Sequence, residues 1–316
     1  MTRRDMMKRA AASLSALAAL SGCAGGAVAK GPEAAYPPIG DFIAVEGVRL
    51  HYVVEGEGPP IVLIHGANGN LRDFTFSLVA RLKDRFRVVA IDRPGHGYSE
   101  RPALNGGDPA VQARLMAEGA AMLGADRTMI VGHSYGGAVA AAWALARPEQ
   151  VAGVGMLAGA TYSWDGDGGL LYRLGSGPLS PVVGAIARGY VTGDRAKDFV
   201  KGVFEPNPVP AGYVEYIGVP LALRPDTFLW NAEDIDSLNK HLAAQAPRYG
   251  ELAMPMEIVH GDADTTVGLE IHSRRLASAA QDASLTVLPG VGHMPHHARE
   301  DEVVAALDRL SARSFG

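Results

Sequence analysis

Short apolar runs that alternate with helix-like stretches most strongly limit how this 316-residue chain can fold. Each run is bounded by glycine or by charged residues, as in the buried strands of a parallel sheet. The predicted strands are Phe42–Val45, Arg49–Val54, Ile61–Ile64, Arg87–Ile91, Met129–Val131, Val154–Leu157, Met256–His260 and Ser284–Leu288. The first two form a hairpin near Glu46-Gly47. Because strands alternating with helices imply βαβ units, the sequence predicts an α/β fold with a mostly parallel, doubly wound sheet.

The predicted helices are marked by their ends. Asp108-Pro109 supplies an N-cap and a first-turn proline for a helix that runs to about Leu123. A second helix follows from Tyr135 to Arg147, and a last one begins at Glu300. These helices fall between or after the predicted strands, as the α/β interpretation requires.

The alternation breaks at about Gly159 and resumes near Met256. Prolines and aromatic residues concentrate in the intervening stretch, whereas a flexible linker would lack the aromatic residues. We interpret residues 160–250 as a mainly helical cap inserted over the sheet. The core domain then comprises residues 36–159 together with residues 251–316.

Residues 1–35 are predicted to be an export signal and a linker. Arg3-Arg4 forms a twin-arginine pattern, and the apolar run that follows is too short to span a bilayer comfortably. Leu20-Ser-Gly-Cys23 resembles the lipobox of bacterial lipoproteins, in which Cys23 would carry the lipid. The competing site Ala27-Val-Ala29 would release a soluble periplasmic protein. Both alternatives predict an exported bacterial protein.

The charge balance excludes one class of partner. Removal of residues 1–22 takes away four basic residues and one acidic residue, so the net charge falls from −5 to −8. An acidic chain without basic clusters argues against nucleic acid as a partner. Neither a metal-spaced Cys/His set nor a phosphate-binding glycine loop is evident, so we expect no metal and no cofactor. The expected partner is a small-molecule substrate, with membrane contact only through Cys23, and the oligomeric state is left open.

The segment Gly132-His-Ser-Tyr-Gly136 places a serine between two glycines, after a strand-like run and before a helix of small residues. Glycine is the residue for backbone that turns sharply or packs closely against other backbone. In the context of strand, turn and helix, the G-x-S-x-G pattern indicates a nucleophile elbow that presents Ser134 above the sheet. A serine that merely caps the helix is the alternative.

Two further loops strengthen the nucleophile interpretation. His65-Gly-Ala-Asn-Gly69 follows the third predicted strand, and Asp92-Arg-Pro-Gly-His-Gly-Tyr-Ser99 follows the fourth. With the elbow, this ordered set resembles the α/β-hydrolase superfamily from about Phe42 to the C-terminus. The resemblance implies an oxyanion hole formed by the backbone N–H groups of Ala67 and Tyr135, with Asn68 as a further side-chain donor. It also implies that His65 and His133 are structural.

The resemblance further implies an acid and then a histidine after the serine in the chain. His293 in the Gly-His loop after the last strand matches the base, and the neighbouring His296 and His297 are expected in the loop or at the pocket rim. Gly261-Asp-Ala-Asp264 offers two acids, of which Asp264 has the family's spacing. Asp262 is expected to form the turn, and the cap residue Asp165 is a third alternative.

The resulting hypothesis is a serine hydrolase that forms an acyl-enzyme at Ser134, with His293 and Asp264 as its partners. An ester with an apolar acyl group is the expected substrate, bound by the cap through Trp164 and Trp230. The pattern does not separate an esterase from an amidase, a carbon–carbon-bond hydrolase or a cofactor-free perhydrolase. A non-catalytic binding protein that keeps the fold is the alternative from another class.

Overall fold

The computed structural model describes residues 31–165, 170–177, 182–183, 185 and 194–316. The predicted export features Arg3-Arg4, Cys23 and Ala27–Ala29 lie outside these residues. The chain divides after Pro37 into two units, and in the first unit the short helix α1 spans Pro32–Ala35. No helix among the described residues is both long and apolar enough to cross a membrane.

Eight strands of the second unit form one sheet in the order β1-β2-β4-β3-β5-β6-β7-β8. Only the pairs β1–β2 and β2–β4 are antiparallel, and all the others are parallel. The strands are β1 (Asp41–Val45), β2 (Val48–Glu55), β3 (Pro60–Ile64), β4 (Arg87–Ile91), β5 (Thr128–His133), β6 (Val151–Leu157), β7 (Met256–Gly261) and β8 (Ala283–Leu288). This sheet confirms the predicted fold class.

Helices flank the strands. In the core they are α2 (Arg72–Thr75), α3 (Leu78–Leu82), α4 (Pro109–Met122), α5 (Tyr135–Ala146), α11 (Ser273–Ala279), α12 (Pro295–Ala298) and α13 (Glu300–Phe315). Between β6 and β7 lie α6 (Leu170–Gly175), α7 (Asp194–Phe204), α8 (Tyr213–Ile217), α9 (Val219–Ala222) and α10 (Pro225–Gln245). The Asp108 carboxylate accepts a hydrogen bond from the Ala110 N–H at 2.8 Å, so α4 has the predicted cap.

The central strands are buried on both faces. On β3, Val62 and Ile64 pack into the hydrophobic cluster that includes α4 and α5, whereas Ile61 and Leu63 pack into the cluster that includes α3 and α13. Because alternate residues of a strand point to opposite faces, a continuous apolar run is required here. This packing fixes the carboxyl ends of β3, β5, β7 and β8, where the predicted site residues follow.

Candidate active site

Ser134 lies between the end of β5 and the start of α5, on a sharply bent backbone. Its φ of 52° and ψ of −120° fall in a region that non-glycine residues rarely adopt. A Cβ on Gly132 would lie 2.3 Å from the carbonyl oxygen of Gly136, and one on Gly136 would lie 2.2 Å from that of Ile64. The two glycines are therefore required for β5 and α5 to pack this closely and lift the serine above the sheet.

His293 connects the serine hydroxyl to a carboxylate. Its Nε2 lies 2.9 Å from Ser134 Oγ, and its Nδ1 lies 2.7 Å from Asp264 Oδ2. The three residues come from the loops after β5, β7 and β8, and His293 and Asp264 are almost fully buried. A hydroxyl, an imidazole and a carboxylate are thus linked by hydrogen-bond distances, which is the arrangement that nucleophilic catalysis by a serine requires.

The structure places Asp264, rather than either alternative acid, against His293. Asp262 instead accepts a hydrogen bond from the Gly290 N–H at 2.7 Å, and Asp165 is exposed. Burial by itself raises the pKa of Asp264, but hydrogen bonds from His260 and His293 outweigh it and hold that pKa well below its usual range. The carboxylate is therefore ionised at neutral pH, as a group that orients an imidazole requires.

The two backbone N–H groups predicted to form an oxyanion hole belong to residues close to Ser134. Tyr135 is the first residue of α5, so its N–H has no partner within the helix. Ala67 lies in the loop after β3, and a Cβ added to the adjacent Gly66 would come within 3.0 Å of Ser134 Cβ. The loop therefore approaches the serine closely, and Ala67 and Asn68 line the same cavity as Ser134.

A cavity of about 180 Å³ adjoins Ser134 and His293. Its walls are mainly apolar, and most of them come from the helices between β6 and β7, with Phe199, Val203, Phe204, Ile217, Val219 and Phe228 among the lining residues. Such a wall suits a hydrocarbon group held next to the serine. The region between β6 and β7 thus supplies much of the wall of this cavity.

The family of the chain follows from comparison with known proteins. Residues 61–306, most of the chain, match the model of the "Alpha/beta hydrolase family". The chain belongs to this family.

Three proteins similar to this α/β hydrolase are named for different activities. "Haloalkane dehalogenase 2" of Mycobacterium tuberculosis (strain CDC 1551 / Oshkosh) is 30% identical over 270 residues, which cover 82% of this chain and 90% of that protein. The meta-cleavage product hydrolase of Pseudomonas fluorescens IP01 superposes with a TM-score of 0.71 at 22% identity, covering 87% of this chain and 98% of that one. The esterase RhEst1 of Rhodococcus sp. ECU1013 superposes with a TM-score of 0.67 at 22% identity, and the match covers 86% of this chain and 98% of that one. The two solved structures share the fold of this chain, and the names of the three proteins give different activities.

The structure corrects the prediction that two tryptophans line the pocket of the α/β hydrolase. The backbone of Trp164 is tied to the Asn239 side chain by two hydrogen bonds of 2.9 Å, and its ring stands edge-on to His272. Trp230 packs beside Gly95 of the loop after β4. Neither ring is part of the cavity wall, because each packs against the residues just named and away from the cavity.

The structure shows the surroundings of three histidines near the site, His65, His296 and His297. His65 is structural, since its Nδ1 lies 2.8 Å from the Gly66 carbonyl oxygen and its Nε2 accepts the Arg93 N–H at 2.9 Å. Burial, with the charge of Arg93, lowers the pKa of His65 to about 4, so this ring is neutral at neutral pH. His296 and His297, which were expected in the loop or at the pocket rim, lie on the short helix α12 that follows β8, and both rings are buried against the carboxylate of Asp73.

Sequence reasoning missed Asn231, a residue of α10 that is 1% exposed. Its Oδ1 accepts the Asn68 N–H at 2.7 Å, and its Nδ2 donates to Asn68 Oδ1 at 2.7 Å. Asn68 has a φ of 54°, so this pair fixes a left-handed residue directly after Ala67. No local pattern distinguishes Asn231 from other polar helix residues, and only the docking of α10 reveals it.

A buried ion-pair network joins α10 to the loop after β4. Asp234 of α10 accepts hydrogen bonds from Arg93 Nη1 at 2.9 Å and from Arg101 Nη1 at 2.6 Å. The side chains of Asp234 and Arg93 are fully buried. Removal of one partner of such a pair leaves an uncompensated buried charge, so substitution of Asp234 or Arg93 alone should destabilise the docking of this helix.

Proposed function

We propose that this α/β hydrolase is a serine esterase that uses Ser134 as nucleophile, His293 as base and Asp264 as the group that orients the base. The observation that carries the proposal is the chain of two hydrogen bonds, 2.9 Å from Ser134 Oγ to His293 and 2.7 Å from His293 to Asp264. A serine hydroxyl needs such a base because it is a weak nucleophile while it keeps its proton.

In the first half of the reaction, Ser134 Oγ forms a bond to the acyl carbon as its proton moves to His293 Nε2. The carbonyl electron pair moves onto oxygen, where the N–H groups of Ala67 and Tyr135 stabilise the negative charge. When this intermediate collapses, the bond to the alcohol oxygen breaks and His293 returns the proton to the leaving alcohol. The product of this half is an acyl-enzyme.

In the second half, water attacks the acyl carbon and gives its proton to His293 Nε2. The bond from the acyl carbon to Ser134 Oγ then breaks, and the serine oxygen recovers a proton from His293. Asp264 remains ionised throughout and stabilises the imidazolium. Water enters and acid leaves, so the cycle restores the enzyme.

The identity of the nucleophile argues against dehalogenation, which the name of the mycobacterial relative gives for that protein. Attack on an alkyl halide by a serine oxygen would leave an alkyl ether, which water does not cleave under these conditions. An aspartate, which the dehalogenases and epoxide hydrolases of this superfamily use at the elbow, gives an ester that water can hydrolyse. Serine at position 134 therefore supports acyl transfer.

The proposal is tested by two assays on the purified protein. A fluorophosphonate probe should label Ser134, and p-nitrophenyl esters should be hydrolysed with a burst of one p-nitrophenolate per chain when deacylation limits the rate. Labelling without turnover of any ester would point to another acyl chemistry, such as cleavage of a carbon–carbon bond. Absence of labelling would contradict the proposal and support a binding protein.

We infer that Asn231 is a positioning residue for the oxyanion loop. Asn231→Ala should lower kcat for a short ester about tenfold to a hundredfold with little change in KM, because loss of its two hydrogen bonds to Asn68 loosens the loop that carries Ala67. The matched control is Asn239→Ala on the same helix, since the hydrogen bonds described for Asn239 join it to the backbone of Trp164. Steady-state kinetics of both variants measure the difference.

A double-mutant cycle separates this role from general destabilisation. Asn68→Gly removes the partner side chain and tolerates the left-handed backbone. If the pair acts as a unit, the double variant Asn68→Gly/Asn231→Ala should be little worse than Asn231→Ala alone. Additive losses, or an equal loss in Asn239→Ala, would contradict the positioning role.

The cavity predicts a preference for medium acyl chains. A volume of about 180 Å³ holds roughly six water-sized groups, so kcat/KM should rise from acetate to about hexanoate and then level off. The gain should reach roughly tenfold for each two methylenes buried. Phe228→Ala should enlarge the cavity and move the optimum to longer chains. Kinetics with an ester series measure this optimum.

Trp230→Ala is the control for the chain-length experiment, because Trp230 lies on α10 near Phe228 but outside the cavity wall. It should leave the optimum unchanged. An unchanged optimum in Phe228→Ala, or an equal shift in both variants, would show that this wall does not bind the acyl chain.

We also propose, from the sequence, that the enzyme is exported and anchored to the membrane by a lipid on Cys23. Cys23→Ala should then move the mature protein from the membrane fraction to the soluble fraction, because a protein without the lipid lacks that membrane contact. Fractionation and N-terminal sequencing measure the outcome. Unchanged fractionation, or a mature N-terminus at Lys30, would instead support cleavage after Ala29.

A further inference from the structure

Three side chains that the proposed reaction does not use meet in the wall beside Ser134. Asp73 comes from α2, His133 ends β5 and His296 belongs to α12, and we call these three residues the histidine cluster. All three are buried, and one ligand-type atom of each lies within 4.8 Å of those of the other two. Asp73 Oδ2 is 3.1 Å from His296 Nε2 and 3.8 Å from His133 Nδ1.

The ring of His133 is held in one tautomer by its other neighbour. Its Nε2 lies 2.9 Å from the carbonyl oxygen of His293. A carbonyl oxygen can only accept, so Nε2 carries the hydrogen and Nδ1 presents a lone pair. This Nδ1 is buried and has no hydrogen-bond partner among the residues that the structure describes.

The lone pair of His133 Nδ1 and the Asp73 carboxylate therefore face each other as two acceptors. A carboxylate oxygen and an imidazole lone pair repel each other at this separation in a buried environment, unless a positive group lies between the two atoms. Two imidazole nitrogens and one carboxylate form a donor set that suits Zn²⁺ and related first-row cations, whereas Mg²⁺ and Ca²⁺ prefer oxygen ligands alone.

We propose that the histidine cluster binds one divalent cation of the Zn²⁺ class through Asp73 Oδ2, His133 Nδ1 and His296 Nε2. His296 must present a lone pair at Nε2, so the ring hydrogen that now faces Asp73 has to reside on Nδ1. The change of tautomer breaks the hydrogen bond from Nε2 to Asp73 Oδ2, and the cation then joins these two atoms instead; Nδ1, which takes the hydrogen, is buried and has no other partner among the described residues. The ligands are then two neutral imidazoles and one carboxylate.

Hydrogen bonds from neighbouring residues hold the side chains of the histidine cluster in place before any cation binds. Asp73 Oδ1 accepts a hydrogen bond from the Tyr213 hydroxyl at 2.8 Å, and His297 Nε2 lies 2.8 Å from the same oxygen. These contacts orient the carboxylate, and the His293 carbonyl orients His133, as outer partners do in metal sites. Asp73 and His133 also line the substrate cavity, so a further ligand from the cavity would complete the coordination.

The test uses Co²⁺ as a spectroscopic probe and does not depend on ester hydrolysis. The full chain is treated with EDTA, dialysed and titrated with Co²⁺, and the visible absorption of protein-bound Co²⁺ is recorded. We expect one Co²⁺ per chain and displacement of the absorption band by one equivalent of Zn²⁺. Elemental analysis of the dialysed protein measures the same stoichiometry.

Variants locate the site. His296→Gln and His133→Asn should each weaken Co²⁺ binding by more than about a hundredfold, because each removes a ligand. The control His241→Gln changes a histidine that pairs with Asp108 outside the histidine cluster, and it should bind as the native chain does. Thermal unfolding without metal shows which variants fold. If His133→Asn does not fold, Co²⁺ binding by His296→Gln is enough to locate the site.

A native chain without the band, or a band that survives in folded His296→Gln, would overturn the proposal. The first result would mean that a proton or water separates the two acceptors, and the second that Co²⁺ binds elsewhere. Neither result would affect the esterase proposal, which is tested separately by fluorophosphonate labelling.

Discussion

Ser134→Ala should lower kcat for p-nitrophenyl butyrate by about 10⁵-fold or more, to the level of the uncatalysed background. The expected loss is this large because residues of a catalytic triad act as a unit, and loss of the nucleophile removes the covalent route altogether. The substitution removes one hydroxyl and leaves both neighbouring glycines in place. The fold should therefore survive, and thermal unfolding should show a midpoint close to that of the native protein.

The control for this experiment is Ser278→Ala on α11, whose hydroxyl donates to the Arg274 carbonyl oxygen on the surface. It should retain native activity and native labelling by the fluorophosphonate probe. Ser134→Ala should take up no label. Retention of more than a few per cent of activity in Ser134→Ala, with contaminating esterase excluded, would end the assignment of this serine as nucleophile.

Asp264→Asn should lower kcat by about 10⁴-fold, the second largest effect expected here. An amide at this position can donate to His293 Nδ1, which places the ring hydrogen on Nε2 and directs it at Ser134. The imidazole then cannot accept the serine proton. The remaining amide oxygen can still accept the N–H groups of Thr266 and Val267, which lie 2.8 and 3.0 Å from Asp264 Oδ1, so the loop should keep its shape.

Asp262→Asn is the matched control, because it makes the same chemical change two residues away in the same loop. The Asp262 side chain accepts only the Gly290 N–H among the hydrogen bonds described for it, and an amide oxygen can do the same. Its kcat should change less than about twofold, as for a surface substitution. If Asp262→Asn were the more damaging of the two, the acid would have to be reassigned.

The sequence by itself determined the sheet and the three residues placed at its edge. Alternating apolar runs specify strands through local periodicity, and parallel strands bring their carboxyl ends to one edge of a sheet. Ser134, Asp264 and His293 each follow such a strand, and the resemblance to the α/β-hydrolase superfamily selected them from the residues of those loops, so their meeting could be predicted without coordinates. The role of Gly132 and Gly136 could also be predicted, because a sharp turn with closely packed backbone requires residues without a Cβ.

Only the tertiary structure decided which other side chains surround that edge. Trp164 and Trp230 were expected in the pocket from their type and position in the insertion, but the docking of the inserted helices directs them elsewhere. Asn231 reaches Asn68 across 163 residues of sequence. Asp73, His133 and His296 likewise come from three distant segments. Contacts of this kind depend on how helices and loops pack over long range, and neither residue spacing nor propensity encodes that packing locally.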